Sequence, residues 1–315
     1  MHSTLKFLQC LIAIGAGACN VCAQGAGLPP GDHEFELHYQ GAARSYIAHV
    51  PAASGALPAV VNLHGGGGNA RHQQENSGMD ALADREGFVV IYPNGSGRLK
   101  NRLLTWNAGS CCGPSSRLAT DDAGFILLVL DDVAKRTAID ARRIYATGFS
   151  NGAMMAQRLG AQFPERFAAI AAVAGGLVFK DAPKAPMPLL YIHSRDDPRA
   201  LYQGGLGPPF PLTGERVLHP AAEETLQRWA RSNACQGAAR ELQSKSLTVA
   251  GHPHTAQLLA WPNCAAPLLH WRLSGAGHVW PGTQRADVPA LSGEKTSIID
   301  ANAEIWNFFK RFALP

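Results

Sequence analysis

Residues 144–155 read Ile144-Tyr145-Ala146-Thr147-Gly148-Phe149-Ser150-Asn151-Gly152-Ala153-Met154-Met155 and give the clearest indication of the fold. Its first four residues predict a buried strand, and residues 151–163 predict a helix. A serine between two glycines at such a junction is typical of a sharp turn that exposes the hydroxyl group. The bare Gly-x-Ser-x-Gly pattern would arise by chance about 0.2 times in this chain, so its position between a strand and a helix is what makes Ser150 a candidate nucleophile.

Short apolar runs and helical stretches alternate along the rest of the chain. Strands are predicted at 44–50, 58–63, 87–92, 142–147, 168–173, 189–192 and 268–273, the first as an edge strand because its residues alternate. Helices are predicted at 79–86, 121–137, 151–163, 221–233 and 298–309. This order indicates an α/β fold, in which a mostly parallel sheet carries helices on both faces and active groups gather at the carboxyl ends of the strands.

Length and composition favour one globular domain. The chain has 315 residues, of which 46% are hydrophobic and 17% charged, and its formal net charge is +4. No basic stripe runs along it, so nucleic acid is not an expected partner. The segment 199–220 is rich in glycine and proline and predicts a long surface loop, with a position over the site as one option.

The N-terminal segment predicts export. Lys6 precedes an apolar run at 7–18, and Val21-Cys22-Ala23 forms a small-x-small cleavage site. Residues 1–23 are therefore predicted to be a signal peptide, residues 24–315 a single catalytic domain, and the protein secreted or periplasmic. An anchor helix and lipidation at Cys19 are the alternatives. No other stretch is apolar and long enough to span a membrane.

Export makes disulfide bonds possible. Cleavage after Ala23 leaves four cysteines, which allow three pairings. A bond between Cys111 and Cys112 would join Cα atoms only ~3.8 Å apart and would be strained. The pair Cys235–Cys264 is therefore the predicted staple, worth about 3 kcal/mol by the loop-entropy model.

A nucleophilic serine needs a base, and the base needs an acid that orients it. His278 follows the last predicted strand and is the predicted base, while His193 ends an earlier strand and is predicted to pack there. The adjacent residues Asp196 and Asp197 are both candidate acids, although Asp197 precedes a proline that restrains its backbone. The order serine, aspartate, histidine is that of α/β-hydrolases.

Four consecutive glycines follow the predicted strand at 58–63, in His64-Gly65-Gly66-Gly67-Gly68-Asn69. Glycines let backbone N–H groups approach a ligand closely, as an oxyanion hole requires. The predicted donors are the N–H groups of Gly66, or a neighbour of it, and Asn151. A phosphate-binding loop is disfavoured because no Gly-Lys-Ser/Thr ending follows.

Six ordered motifs extend the pattern. They are Leu63-His64-Gly65-Gly66-Gly67-Gly68, Tyr92-Pro93-Asn94-Gly95, Trp106-Asn107-x-Gly109-x-Cys111-Cys112-Gly113, Asp121-Asp122-x-Gly124-Phe125, Gly148-Phe149-Ser150-Asn151-Gly152-Ala153-Met154-Met155 and Gly277-His278-x-Trp280-Pro281-Gly282. Together they resemble the polyhydroxybutyrate depolymerase-like and feruloyl esterase-like families of esterases. In those families the acid follows a His-Gly-x-x-Asp pattern, which implies Asp197. This sequence departs from the pattern with Ser194 in place of the glycine and with extra residues at 207–218.

The remaining candidates concern binding. Trp106 and Trp280 are predicted to line the substrate pocket, with core packing as the alternative. Asp121 and Asp122 are predicted to cap a helix. No histidine or cysteine spacing resembles a metal site, and neither a metal nor a cofactor is expected.

These features predict two-step hydrolysis of carboxylic esters by Ser150, His278 and Asp197. The resemblance implies small-molecule or polymeric ester substrates: hydroxyalkanoate polyesters or oligomers, or feruloyl or acetyl esters of polysaccharide. Two alternatives stay open. The same groups could cleave amides, because the triad does not choose the leaving group, and the fold could serve a non-catalytic binding protein.

Overall fold

A computed structural model describes residues 27–210, 214–285 and 289–315. The predicted signal peptide at 1–23 lies outside the described residues. The strands are β1 (Gly31–Tyr39), β2 (Ala42–Val50), β3 (Leu57–Leu63), β4 (Val89–Pro93), β5 (Ile139–Gly148), β6 (Ala169–Val173), β7 (Leu189–Ser194), β8 (Gly205–Leu206), β9 (Leu218–His219), β10 (Arg240–Val249), β11 (His252–Ala260) and β12 (Leu268–Ser274). The helices are α1 (Ala70–Ser77), α2 (Asp80–Glu86), α3 (Gly113–Arg117), α4 (Asp122–Arg136), α5 (Asn151–Gln162), α6 (Ala222–Ser232), α7 (Pro289–Ser292) and α8 (Ala301–Phe309).

The main sheet has the strand order β1-β2-β4-β3-β5-β6-β7-β12-β11-β10. Its six central strands, from β4 to β12, are parallel, and an antiparallel pair extends each edge. The parallel strands β3, β4, β6 and β7 are buried along their whole length. Strands covered on both faces read as continuous apolar runs, which is why the sequence predicted them.

Side chains alternate between the two faces of the sheet, and each face has its own core. On β3, Ala59 and Val61 belong to the cluster that contains the apolar faces of α4, α5 and α6. Val60 points the other way, into the cluster formed with α2 and α8. The sheet is therefore covered by helices on both faces, and the predicted α/β-hydrolase fold is confirmed.

The edges of the sheet differ from the prediction. The predicted edge strand at 44–50 is β2, which lies inside β1 and pairs with it in antiparallel register. At the opposite edge the sequence analysis missed the hairpin of β10 and β11. Strand β10 is mostly exposed and carries polar residues, so it lacks the apolar run by which the central strands were recognised.

The two acids at the start of α4 have different roles. Asp121 caps the helix as predicted, because its Oδ1 accepts the N–H of Gly124 at 2.9 Å. Asp122 lies in the first turn of the helix, as predicted, but it is not the cap: its carboxylate is buried and pairs with Arg44 at 2.7 Å. Asp122 also accepts the N–H of Asn107 at 2.7 Å. A buried carboxylate requires such partners, and these bonds attach the loop around Asn107 to the helix.

Both cysteine pairs of the described chain are bonded. Cys235 and Cys264 form the predicted disulfide, 29 residues apart, against the core beside α6. Cys111 and Cys112 form a second bond across a cis peptide, which the sequence analysis did not assign. Within the described ranges, no helix combines the length and the apolar character needed to cross a membrane.

We expect the double substitution Cys235→Ser/Cys264→Ser to lower the melting temperature of the oxidised protein. Without the bond, the unfolded chain regains the conformational freedom of the loop that the bond closes. The free energy of unfolding then falls by about 3 kcal/mol in the loop-entropy model. For a domain of this size the melting temperature should fall by roughly 6–12 °C. Calorimetry on the oxidised wild type and variant measures it, with Cys111 and Cys112 left in place in both. Mass mapping that finds free thiols at 235 and 264 in the oxidised protein would contradict the bond.

Candidate active site

The backbone around Ser150 makes a tight turn between β5 and α5. Ser150 has φ +54° and ψ −117°, a left-handed conformation that side chains other than glycine seldom adopt. Two hydrogen bonds hold it: the N–H of Phe149 donates to Leu63 O at 3.0 Å, and the N–H of Ser150 donates to Val173 O at 2.8 Å. The neighbouring strands β3 and β6 therefore hold the strained turn that presents the serine.

The glycines on either side of the serine are required by close packing. A Cβ atom at Gly148 would lie 2.5 Å from the carbonyl carbon of Gly152, and one at Gly152 would lie 2.2 Å from the carbonyl oxygen of Leu63. Both contacts are with backbone, which cannot rotate away. The start of α5 is thus pressed against the end of β3, where the glycine-rich loop begins.

The predicted base and acid are hydrogen bonded to each other. His278 Nδ1 lies 2.7 Å from Asp197 Oδ2. Because Nδ1 is engaged with the carboxylate, Nε2 is the ring nitrogen left to accept a proton from a hydroxyl group. The histidine ring packs on Phe149 with the ring centroids 4.6 Å apart, and His278 and Ser150 line the same cavity.

Asp197 is a buried carboxylate with both oxygens occupied. Its Oδ1 accepts the N–H groups of Arg199 at 2.7 Å and Ala200 at 2.8 Å. Burial alone would raise its pKa, but the charge of His278 and hydrogen bonds from His193 and His278 hold the pKa of Asp197 well below its usual value. The carboxylate therefore stays ionised and can stabilise a protonated His278.

Asp196 lies on the outside of the same turn. It is exposed, and its Oδ2 accepts the N–H of Gly275 at 2.7 Å. The sequence analysis did not anticipate this bond, which ties the turn after β7 to the loop that carries His278. Asp196 thus attaches one loop to another, while Asp197 touches the histidine.

His193 is a second histidine beside the acid. It is buried, as predicted, but its contact with Asp197 was missed: Nε2 lies 3.2 Å from Asp197 Oδ2 and 2.8 Å from Ala200 O. On the other side of the ring, Nδ1 lies 2.6 Å from the Tyr191 hydroxyl. Tyr191 and His193 are two residues apart on β7, so their side chains share a face of the strand. This spacing is the sequence feature from which their contact could have been predicted.

The glycine-rich loop packs directly on the turn around Ser150. A Cβ atom at Gly65 would lie 3.4 Å from the Cβ of Ser150, and one at Gly66 would lie 3.7 Å from the Cβ of Asn151. Gly65 and Gly66 line the cavity with Ser150. Asn151 is the first residue of α5, where backbone N–H groups have no partner within the helix. The two predicted oxyanion donors therefore belong to backbone segments in contact with each other.

His64 holds this loop as a neutral ring. Burial lowers its pKa to about 3. Its Nε2 accepts the N–H of Gly95 at 2.9 Å, so Nδ1 carries the proton and donates to Gly65 O at 2.8 Å. The imidazole joins the ends of β3 and β4 and fixes the first peptide of the loop.

The prediction that Trp106 and Trp280 line the substrate pocket is wrong. Both are buried, at 0% and 1% exposure, and neither lines the cavity. The Trp106 indole donates to His64 O at 2.9 Å, and the Trp280 indole donates to Asn302 Oδ1 at 3.1 Å. Trp106 has a supporting role instead, because its backbone N–H donates to Asn151 Oδ1 at 2.6 Å.

The cavity beside Ser150 has a volume of about 260 Å³. The predicted surface loop 199–220 forms one wall and contains the small hairpin of β8 and β9. Its lining residues are Arg199, Ala200, Pro208, Phe210, Val217 and His219. The described parts of the loop therefore lie beside the site, and Pro208, Phe210 and Val217 from the extra residues help to shape the cavity.

A cluster outside the cavity has the composition of a metal site. Ligand atoms of Asp32, His49 and Asp80 lie within 4.8 Å of one another, an arrangement that residue spacing did not reveal. The two ring nitrogens of His49 lie 2.8 Å from Asp32 Oδ1 and 3.0 Å from Asp84 Oδ1. Burial by itself lowers the pKa of His49, but these carboxylates raise it overall. The neighbouring carboxylates therefore favour the protonated form of the His49 ring.

Comparison with known proteins identifies the family. A family model described as "Esterase PHB depolymerase" matches residues 44–208, which is 165 of 315 residues. The chain belongs to this esterase family. The match contains Ser150 and Asp197, and the esterase continues for another 107 residues that include His278.

Individual relatives agree with this assignment. NocK of Nocardia uniformis subsp. tsuyamanensis, named as an esterase, is 30% identical over 271 residues, which cover 82% of this chain and 76% of that protein. The bifunctional acetylxylan esterase/xylanase XynS20E of Neocallimastix patriciarum is 32% identical, over 52% of this chain and 23% of that protein. The poly(3-hydroxyalkanoate) depolymerase C of Paucimonas lemoignei is 36% identical, over 41% and 30%. This esterase thus spans less than a third of the last two proteins.

A solved structure has the same fold. The acetyl xylan esterase from Aspergillus awamori superposes with a TM-score of 0.58, over 88% of this chain and 99% of that chain, at 16% identity. Identity this low shows the shared fold and nothing finer.

Substitution of the two adjacent acids separates their roles. We expect Asp197→Asn to lower turnover of a chromogenic ester by on the order of 10²-fold or more, because His278 loses the carboxylate that fixes its tautomer. Asp196→Asn should stay within about tenfold of the wild type, because an amide oxygen can still accept the N–H of Gly275. Steady-state kinetics of both variants on one ester measure this difference. The reverse ranking would assign the acid role to Asp196.

Proposed function

We propose that this esterase hydrolyses carboxylic esters through a Ser150–His278–Asp197 triad. Ser150 attacks the ester carbonyl while His278 Nε2 takes its proton and then returns it to the leaving alcohol, which leaves the acyl group bonded to Ser150. A water molecule, deprotonated by His278, then attacks this acyl group, and the acid is released as His278 returns the proton to the serine oxygen. Asp197 holds the ring by Nδ1 and stabilises its positive charge. The hydrogen bond of 2.7 Å between His278 and Asp197, at the cavity that Ser150 lines, is the observation that carries the proposal.

The negative charge that develops on the carbonyl oxygen needs donors. We assign this role to the backbone N–H groups of Gly66 and Asn151, which belong to adjoining segments beside Ser150. The side chain of Asn151 is held by both polar atoms of the Trp106 backbone. Donors fixed before the reaction stabilise the transition state without reorganisation, and the loss of one typically costs about 3 kcal/mol.

The names of the relatives suggest candidate substrates for this esterase. Their names mention acetylated xylan, poly(3-hydroxyalkanoate) and, for the Piromyces equi relative, feruloyl esters. We propose hydroxyalkanoate esters, feruloyl esters and acetyl esters as the candidate substrates of this chain. Hydrolysis of methyl ferulate, p-nitrophenyl acetate and a hydroxybutyrate oligomer, measured side by side, ranks them.

We expect Ser150→Ala to fold as the wild type does but to lose ester turnover and labelling by a fluorophosphonate probe. The general base then has no nucleophile to activate, and residual rates should be on the order of 10⁶-fold lower, as in a protease triad. Circular dichroism serves as the control for folding. Near-wild-type hydrolysis by the alanine variant would contradict the triad.

We further propose that the protein is exported and that residues 1–23 are removed. Two disulfide bonds in the described chain support this, because such bonds persist outside the reducing cytosol. Expression of the full chain in a bacterial host should place active enzyme in the periplasm or medium, with Gln24 as its first residue. N-terminal sequencing tests the site, and an intact N-terminus on active enzyme would contradict the proposal.

A further inference from the structure

The wall of the cavity beside Ser150 carries positive charge. Two arginines, Arg199 and Arg285, are among the lining residues, and no aspartate or glutamate is among those that the structure describes. Asp197 lies behind the wall with its side chain fully buried. The arginines are therefore the charged side chains among the described lining residues, histidines aside.

Arg199 has the freer guanidinium of the two. Its Nη1 donates to Pro209 O at 3.3 Å, and the group lies 5.0 Å from the centre of the Phe210 ring. No carboxylate of the described ranges forms an ion pair with it. Because a guanidinium has five N–H donors in a planar fork, most of them are left for a ligand.

Two other basic residues on the described wall, Arg285 and His219, differ from Arg199. Arg285 already has a distant partner, since its Nε lies 3.9 Å from Glu75 Oε2. Burial lowers the pKa of His219 to about 4, so this ring is neutral at ordinary pH. Its Nδ1 is buried and has no hydrogen-bond partner among the described residues. Of the two lining arginines, Arg199 is thus the one without an ion pair in the described part of the chain, and it lies two residues from Asp197.

A half-enclosed guanidinium in an apolar wall selects anions. Low-dielectric surroundings strengthen its field, and a carboxylate can form two parallel hydrogen bonds with the fork. The cavity of about 260 Å³ is near the lower end of ligand pockets. A short ester with a charged end matches both its size and its charge.

We propose that this esterase acts on esters that bear a free carboxylate, and that Arg199 binds this carboxylate. The inference rests on the proposed function, since it assigns the charged part of the substrate to the cavity of the same triad. Esters of small hydroxy acids are the chemical class, with the carboxylate a few bonds from the ester oxygen. The hydroxy acid then leaves as the alcohol when His278 returns its proton.

Two substrates that differ only in charge test the effect of the carboxylate. 3-Acetoxybutyrate and its carboxamide each have one ester bond and the same shape, and only the first is an anion. We expect the wild type to favour the acid in kcat/KM by about tenfold or more. Arg199→Gln should bring the ratio close to one, and Arg199→Lys should keep part of the preference, because lysine retains the charge without the fork.

Arg195→Gln is the matched control, because Arg195 is exposed and does not line the cavity. It should keep the full preference for the acid. The backbone N–H of residue 199, which bonds Asp197, is unchanged in every variant. Equal rates on the two substrates, or a preference that survives Arg199→Gln, would overturn the inference.

Binding separates this inference from the triad. Titration calorimetry on Ser150→Ala should give a lower dissociation constant for 3-acetoxybutyrate than for its carboxamide. The double variant Ser150→Ala/Arg199→Gln should bind the two ligands equally. If Ser150→Ala still hydrolyses esters, the triad is wrong but the binding comparison still decides the role of Arg199. If turnover is lost and the two ligands bind equally, the triad stands and the carboxylate site is overturned.

Discussion

The strained backbone at Ser150 is the constraint on which the site depends. A left-handed non-glycine residue typically costs about 1–3 kcal/mol and persists only where its surroundings hold it. Here the hydrogen bonds to Leu63 and Val173 do so, and each comes from a neighbouring parallel strand. Gly148 and Gly152 allow helix α5 to start in contact with β3. The position of the serine is therefore set by the centre of the sheet rather than by its own loop.

The second constraint is the burial of one negative charge. A buried carboxylate is tolerated only when its oxygens are bonded, and Asp197 has two backbone N–H groups on one oxygen and two imidazoles near the other. These contacts also order the turn after β7, from which the wall of the cavity continues. The proposed acid and the proposed carboxylate-binding residue are thus joined through backbone: the N–H of Arg199 donates to Asp197, and Arg199 is one of the residues that line the cavity.

Much of the site could be predicted because its parts are local motifs. Ser150 between two glycines, the glycine run after His64, and Asp197 and His278 after strands are each recognisable within about ten residues, and strand ends meet at one edge of a parallel sheet. The tryptophans show the limit of this reasoning. Trp280 follows His278 by two residues in the sequence, but its indole donates to Asn302 Oδ1 and the residue does not line the cavity. Residues close in sequence to a site residue lie in the same part of the fold, but their side chains can point away from the cavity.

The α/β fold, the central strands and the order of the three candidate catalytic residues could be predicted from sequence alone, because apolar runs and tight turns depend on nearby residues. The folded chain was needed to show that His193 touches Asp197, that Asp122 pairs with Arg44 in the interior, and that Arg199 lines the cavity. These contacts join residues distant in the chain or depend on side-chain direction. Long-range contacts and side-chain directions are both set by the packing of the whole domain, which a short sequence pattern does not contain.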